Sequence, residues 1–342
     1  MTEGSPARTA LPRRYSAAIA FGTAALAGVL VSLAITASGP VAGVPESSAL
    51  IRAGLPIVRV ILDVAAVVAV GLSLLPLLIG VDRPKLAEPV LVVARPLAVS
   101  AGIIWSVSAL VALLLQAAEL EPGETLSLGA VGDYIGTVGA GKALVAVAGL
   151  AAIHAWISRL AVRHGEKVPA ELRVALGLFT LLPLPVTGHA SNWRWHDFSM
   201  ISMELHVMGA VAWTGGLGAL IVFLSTNRTL LAHTLPRFSR LATLALLLVT
   251  ATGLFNGLIE AGLSPTHDFW AALFTTGYGQ LVILKVACGI LLVLLGGNIR
   301  LRLMPAIAQH KRTALAGWAA FELSVMGLAF GIAVVLTRAP VS

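Results

Sequence analysis

Between residues 187 and 216 the chain gathers side chains that bind soft metal ions. Met200, Met203 and His206 recur every third residue, which on a helix of about 3.6 residues per turn lays them along one slanting stripe. With about 1.5 Å of rise per residue, the stripe carries His206 about 9 Å along the helix from Met200. His189 ends the preceding apolar segment in a Thr187-Gly-His-Ala190 turn, where Gly188 lets the backbone bend and aims the ring at the top of the bundle. The short connection to the next segment encourages the two to pack side by side, which brings His189 towards His206. His196, Met208, Trp193 and Trp195 fall in the same region. Thioether and imidazole together suit Cu(I), and imidazole also accepts Cu(II) or Zn(II). The single cysteine, Cys288, provides no thiolate cluster, so methionine is the softest ligand and copper the expected metal, Cu(I) ahead of Cu(II). Each residue also has an ordinary role open to it: packing for the methionines, a wet loop for His189 and His196, an interfacial belt for Trp193 and Trp195.

The elements that position these ligands follow from composition. The 342 residues are 58% hydrophobic and 11% charged, with a mean hydropathy of +0.92. Such a chain carries more apolar surface than a soluble domain of its length hides, and reads as an integral membrane protein. Its net charge of +7 would suit a polyanion in a soluble protein. The basic residues fall in alternate loops, however, which is an orientation signal: the partner is a lipid bilayer and not nucleic acid.

Crossing the hydrocarbon core takes about 20 apolar residues, and nine segments qualify, at about 15–38, 57–80, 92–117, 138–158, 172–188, 200–224, 240–260, 278–298 and 316–337. All are too continuously apolar for barrel strands, so the fold class is all-α, a polytopic transmembrane helical bundle of about nine spans. With the N-terminus inside, 17 of the 23 Lys and Arg residues fall in the tail or in inside loops. This predicts N-terminus in and C-terminus out, with the His and Met cluster facing outward. Residues 1–14 form a cytoplasmic tail, 15–170 an N-terminal half with spans one to four, and 171–342 a C-terminal half with spans five to nine. The first segment has the basic start of a signal peptide, but at about 21 apolar residues it exceeds the usual length of one, so its retention is expected.

Two short matches suggest a parallel internal repeat. Thr137-Val-Gly-Ala-Gly141 recurs as Thr275-Thr-Gly-Tyr-Gly279, and Leu62-Asp63 as Leu205-His206, both with direction across the membrane preserved, an arrangement used by several transporters. Asp63, Glu204, Glu260, Lys285 and Glu322 lie within spans and are expected to face the bundle interior, a partner or water. Lys285 and Glu322 are placed to neutralise one another. Asp63 reads equally as the partner of Arg59, one turn away, and as a group that carries a cation onward from His206. Trp213, ahead of the small Gly215 and Gly216, belongs to a closely packed stretch. Asp63, Trp213, Lys285 and Glu322 together make the candidate transport pathway.

His154 is a lone histidine in the inner half of the fourth span and reads as a satisfied buried imidazole. The alternative, haem held between two histidines, needs a second ring at matching depth, and His154 lies further inward than His206. No Gly-rich phosphate loop, His-Glu-x-x-His pair or G-x-S-x-G elbow occurs, so no enzyme is expected.

At Thr187-Gly-His-Ala190, Leu205-His206 with Trp213-Thr-Gly-Gly216, Arg237-Phe-Ser-Arg-Leu241 before Thr252-Gly253, and Thr276-Gly-Tyr-Gly279 followed by Lys285, the sequence resembles the copper-resistance protein D family (CopD/PcoD) of bacterial inner-membrane proteins. The resemblance is strongest over about residues 185–337. It implies a multi-pass protein of the bacterial cytoplasmic membrane that passes copper, with import the usual assignment, and His189 and His206 fall on the family's histidine positions. It also implies partners in an extracytoplasmic copper chaperone or a cytochrome oxidase assembly module. A ninth span beyond the eight of the simplest members sets the N-terminal helix apart. The rival reading is a membrane haem or quinone electron-transfer protein, or an oxidase assembly factor that only presents copper.

Overall fold

Hydrocarbon offers no water to backbone N–H and C=O groups, so a chain this apolar satisfies them within helices. The computed structural model of the protein describes residues 13–37, 48–80, 84–120, 122, 126–187, 196–262, 269–308 and 314–339. The elements are α1 (Arg13–Ile35), α2 (Ala49–Ile79), α3 (Pro84–Leu120), α4 (Leu128–Thr137), α5 (Gly139–His164), α6 (Ala170–Phe179), α7 (His196–Leu224), α8 (Arg228–Gly262), α9 (Phe269–Thr275), α10 (Gly277–Asn298), α11 (Met304–Ala308) and α12 (Leu315–Leu336). Among the described residues there is no strand, and nine helical stretches are long and apolar enough to cross a membrane. Most run well past the apolar segments read from sequence, because a helix continues into the interface where hydropathy no longer marks it.

The fifth span differs from the single helix expected over 172–188. Helix α6 stops at Phe179, and a turn followed by a 3₁₀ segment, Leu184–Thr187, completes the crossing. Pro183 and Pro185 remove backbone donors and cannot continue an α-helix. Irregular backbone at this depth survives only inside protein, and Leu181, Leu184 and Pro185 are buried accordingly.

The element order repeats. Two long helices, a short one, and a long one opened by glycine make α2–α3–α4–α5, and the same series recurs as α7–α8–α9–α10. Helices α2 and α7, the most enclosed spans, run in the same direction and meet backbone to backbone: a Cβ on Gly71 would strike the Gly215 backbone, and one on Gly215 would strike that of Val67. The end at which both helices begin is termed the upper end. This parallel register sets Asp63 of α2 and His206 of α7 at about the same depth.

The halves differ in one respect that matters for the site. Helices α3 and α5 pack closely, with Gly102 against Ala155, whereas their counterparts α8 and α10 scarcely touch. The register that matches Gly71 to Gly215 puts Leu246 where α3 has Gly102, so the small residue that permits close packing in the first half is not repeated in the second. Helix α1 lies outside both repeats. Its stripe Ala17, Phe21, Ala25 and Val29 is buried, Gly28 meets the α12 backbone, and Gly327 and Gly331 meet that of α1. Phe21 and Phe330 meet edge to face at 5.8 Å.

Candidate metal site on α7 and α8

Helix α7 is apolar over most of its length, and two of its three expected ligands face α8. The Nδ1 of His206 lies 3.1 Å from Thr252 Oγ1. That hydroxyl gives its own proton to the Leu248 carbonyl, at 2.6 Å, so towards the ring its oxygen can only accept. The Val249 carbonyl, also an acceptor, faces the ring beside it. Both neighbours therefore call for the tautomer with the proton on Nδ1, which leaves the Nε2 lone pair for a ligand. Gly253 clears room for the ring: a Cβ there would stand 3.2 Å from His206 Cε1.

One turn above, Met203 meets Asn256, whose Nδ2 lies 4.0 Å from the thioether sulfur. Asn256 is buried, and its Oδ1 has no partner among the described residues. Met200 lies a further turn up and is half-buried. The structure thus brings Met203 and His206 onto the α7–α8 face, with Met200 on the same helix above them. His189, Trp193 and Trp195 lie outside the described residues, as does the side chain of His196. Among the described residues no three His, Cys, Asp or Glu side chains converge as a ready-made ligand set.

The pathway residues separate into two groups. Lys285 of α10 lies within electrostatic reach of His206, on the side where α8 and α10 part. Trp213, two turns below His206, is buried, and its indole faces the carboxyl of Glu322 on α12 without closing a hydrogen bond of good geometry. Glu322 is only 3% exposed and has no ion pair among the described residues, so the expected Lys285–Glu322 ion pair does not form there.

Asp63 takes the first of its two roles in the structure. Arg59 Nε donates to its two oxygens at 3.2 and 3.4 Å, and Arg59 Nη1 donates to Thr187 Oγ1 at 2.9 Å. The pair staples the broken fifth span to α2. Asp63 shares the depth of His206 but not its face, since the ring points to α8.

His154 belongs to another neighbourhood. It is fully buried among α2, α3, α5 and α6, with Nε2 3.1 Å from Ser73 Oγ and the ring edge-on to Trp105. Ser73 donates to the Ala69 carbonyl at 2.9 Å, so it accepts from Nε2–H and leaves Nδ1 without a partner. The imidazole is half satisfied, not fully as expected. With His206 directed to Thr252, the two rings do not face one another as a haem pair would require.

Thr252 and Asn256 were not assigned chemistry from sequence. The available signal was their spacing, four residues apart in an apolar span, which puts two polar groups on one helix face.

Two family models match the chain. The model described as copper resistance protein D-like, N-terminal domain, covers residues 48–197, and the one described as copper resistance protein D covers residues 232–336. The first half, where motif resemblance is weak, is therefore matched as well as the second. The first match begins at α2 and ends at the start of α7, the second covers α8 to α12, and the ligand-bearing part of α7 lies between them. Copper transport protein CutJ of Bacillus subtilis (strain 168) is 30% identical over 165 residues, 46% of this chain and 28% of that relative. The matched stretch thus spans well under half of the curated relative's length. No solved structure matches the chain.

Proposed function

Because the chain belongs to the copper resistance protein D family, we propose that it moves copper ions across the bacterial cytoplasmic membrane, inward, with His206 as the ligand that receives the ion and Met203 as its companion. The observation that carries the reading is the 3.1 Å contact of His206 Nδ1 with Thr252 Oγ1, a hydroxyl that itself donates to the Leu248 carbonyl, an arrangement that favours the proton on Nδ1 and leaves Nε2 to coordinate. Outer-shell hydrogen bonds of this kind orient a ligating imidazole and raise its basicity.

The path follows from chemistry and depth. On the topology expected from the Lys and Arg distribution, the upper end faces outward. A Cu(I) ion meets Met200 first, then Met203, then His206, with His189 as the further ligand expected from the sequence. Sulfur and imidazole suit this softer oxidation state, and the orphaned amide oxygen of Asn256 provides one further, weak contact. Below His206 lie Trp213 and Glu322, whose indole face and carboxyl are the next groups that attract a cation. The parting of α8 and α10 supports a route on this side of the bundle. Asp63, paired with Arg59, supports the architecture of the neighbouring repeat. The ion passes by exchange between coordinating groups, with no covalent bond of the chain made or broken, and no enzymatic step is proposed.

The test is radiocopper flux into proteoliposomes. His206→Ala, inserted at wild-type level, is expected to lose most of the flux; wild-type flux in that variant defeats the proposal.

A further inference from the structure

The first repeat holds a second polar cluster that plays no part in the route above. Helices α5 and α6 are antiparallel neighbours, and Gly177 of α6 lies against the ring of His154, where a Cβ would stand 3.5 Å from Nε2. The same antiparallel register puts Ser158, one turn below His154, and Arg173, one turn below Gly177, at about the same level of the two helices. Ser158 is 0% exposed and Arg173 is 1% exposed. Yet Ser158 Oγ, Arg173 Nε and Arg173 Nη2 have no hydrogen-bond partner among the described residues, and the indole N–H of Trp105, the ring edge-on to His154, has none either. A buried polar group without a partner is uncommon and costly, and here several are gathered at adjoining levels of α3, α5 and α6. Two unpartnered polar groups at one level of neighbouring helices can be answered by a single bridging acceptor.

The charge says which acceptor. Arg173 sits in the first turn of α6, the positive end of that helix, where a cation is disfavoured and an anion favoured. Arg95 of α3, also buried, is already engaged: it donates to Glu88 at 2.7 and 3.0 Å and to Glu166 at 2.7 Å. Glu166 and Glu171 act on Arg173 only from a distance. A water molecule would answer the free N–H groups but leave the buried guanidinium without an anion in contact, whereas a bound anion answers both. The guanidinium charge disfavours a metal cation there, and the N–H groups of Arg173 and Trp105 call for an acceptor. The burial of Ser158 and Arg173 requires the guest to be small.

We propose that Arg173 and Ser158, beneath His154, form an internal binding site for a small inorganic anion of halide size, with Trp105 as a further donor. Such an anion fixes α6 against α5 and so braces the helix on which the broken fifth span rests.

The experiment compares thermal unfolding of the purified, copper-free protein in sodium chloride and in sodium gluconate at equal ionic strength, gluconate being too large to enter. Wild type is expected to show a saturable rise in Tm with chloride. Arg173→Gln is expected to lose that dependence, and Ser158→Ala to raise the half-saturating chloride concentration roughly fivefold. Bromide soaked into crystals is expected to give an anomalous peak between the two side chains. Equal melting in the two salts, or unaltered chloride dependence in Arg173→Gln, overturns the site. Should Arg173→Gln not fold, Ser158→Ala decides: a wild-type half-saturation point in that variant also overturns it. Copper is absent throughout, so the outcome is independent of the transport reading.

Discussion

Thr252→Val is the sharpest probe of the metal site. Valine matches threonine in shape, so packing between α7 and α8 is kept, while the oxygen that accepts from His206 Nδ1–H is lost. The hydroxyl's bond to the Leu248 carbonyl disappears with it but leaves no new orphan, because that carbonyl keeps its helical partner. What changes is the ring: its N–H loses its nearest acceptor and the imidazole is free to rotate or change tautomer. Losing the group that hydrogen-bonds the far nitrogen of a ligating histidine costs about 10- to 100-fold in metal affinity. The Val249 carbonyl beside the ring retains part of the constraint, which places the expected loss near the lower end, about tenfold or 1.4 kcal/mol. Anaerobic competition for Cu(I) against a chromogenic chelator measures it, with Tm as the control for folding. Thr252→Ser restores the oxygen and is expected to recover most of the affinity. Binding by Thr252→Val within twofold of wild type, or equal weakness in Thr252→Ser, would refute the tautomer reasoning.

Three other substitutions test the frame around the site. Gly253→Ala introduces a Cβ against His206 Cε1 and is expected to lower copper flux at unchanged protein level; flux equal to wild type would show that the ring has room to yield. Gly215→Val drives a side chain into the α2 backbone, an overpacking that costs about 1–3 kcal/mol or more. Its signature is a fall in Tm and in the monodisperse fraction, and an unchanged Tm would deny the close α2–α7 crossing. Asp63→Asn leaves the guanidinium of Arg59 without its counter-charge, for an expected loss of about 2 kcal/mol in a partly buried pair. The double variant Arg59→Gln, Asp63→Asn is expected to regain stability with copper flux preserved. Flux lost in the double variant would return Asp63 to the transport route.

The number of spans, the helical class and the presence of a His and Met stripe were all legible in the sequence, because hydropathy over about 20 residues and a spacing of three are local properties that survive any packing arrangement. The parallel repeat was faintly visible in two short matches and is plain in the order of helices. The broken fifth span was also written locally, in Pro183 and Pro185, but an apolar window averages over such breaks. Pairings across helices were not legible. Which face of α7 meets which face of α8 decides that His206 meets Thr252, that Lys285 approaches His206 and not Glu322, and that Asp63 at the same depth is turned elsewhere. The same holds for Arg173: in sequence it counts as one more basic residue near an inside loop, and only the antiparallel register of α5 and α6 shows it enclosed, at about the level of Ser158. Local spacing sets the helices and the residues they carry. The rotation and register of each helix come from the summed packing of small residues such as Gly71, Gly102 and Gly215 against distant backbones, a property of the assembled bundle that no single segment encodes.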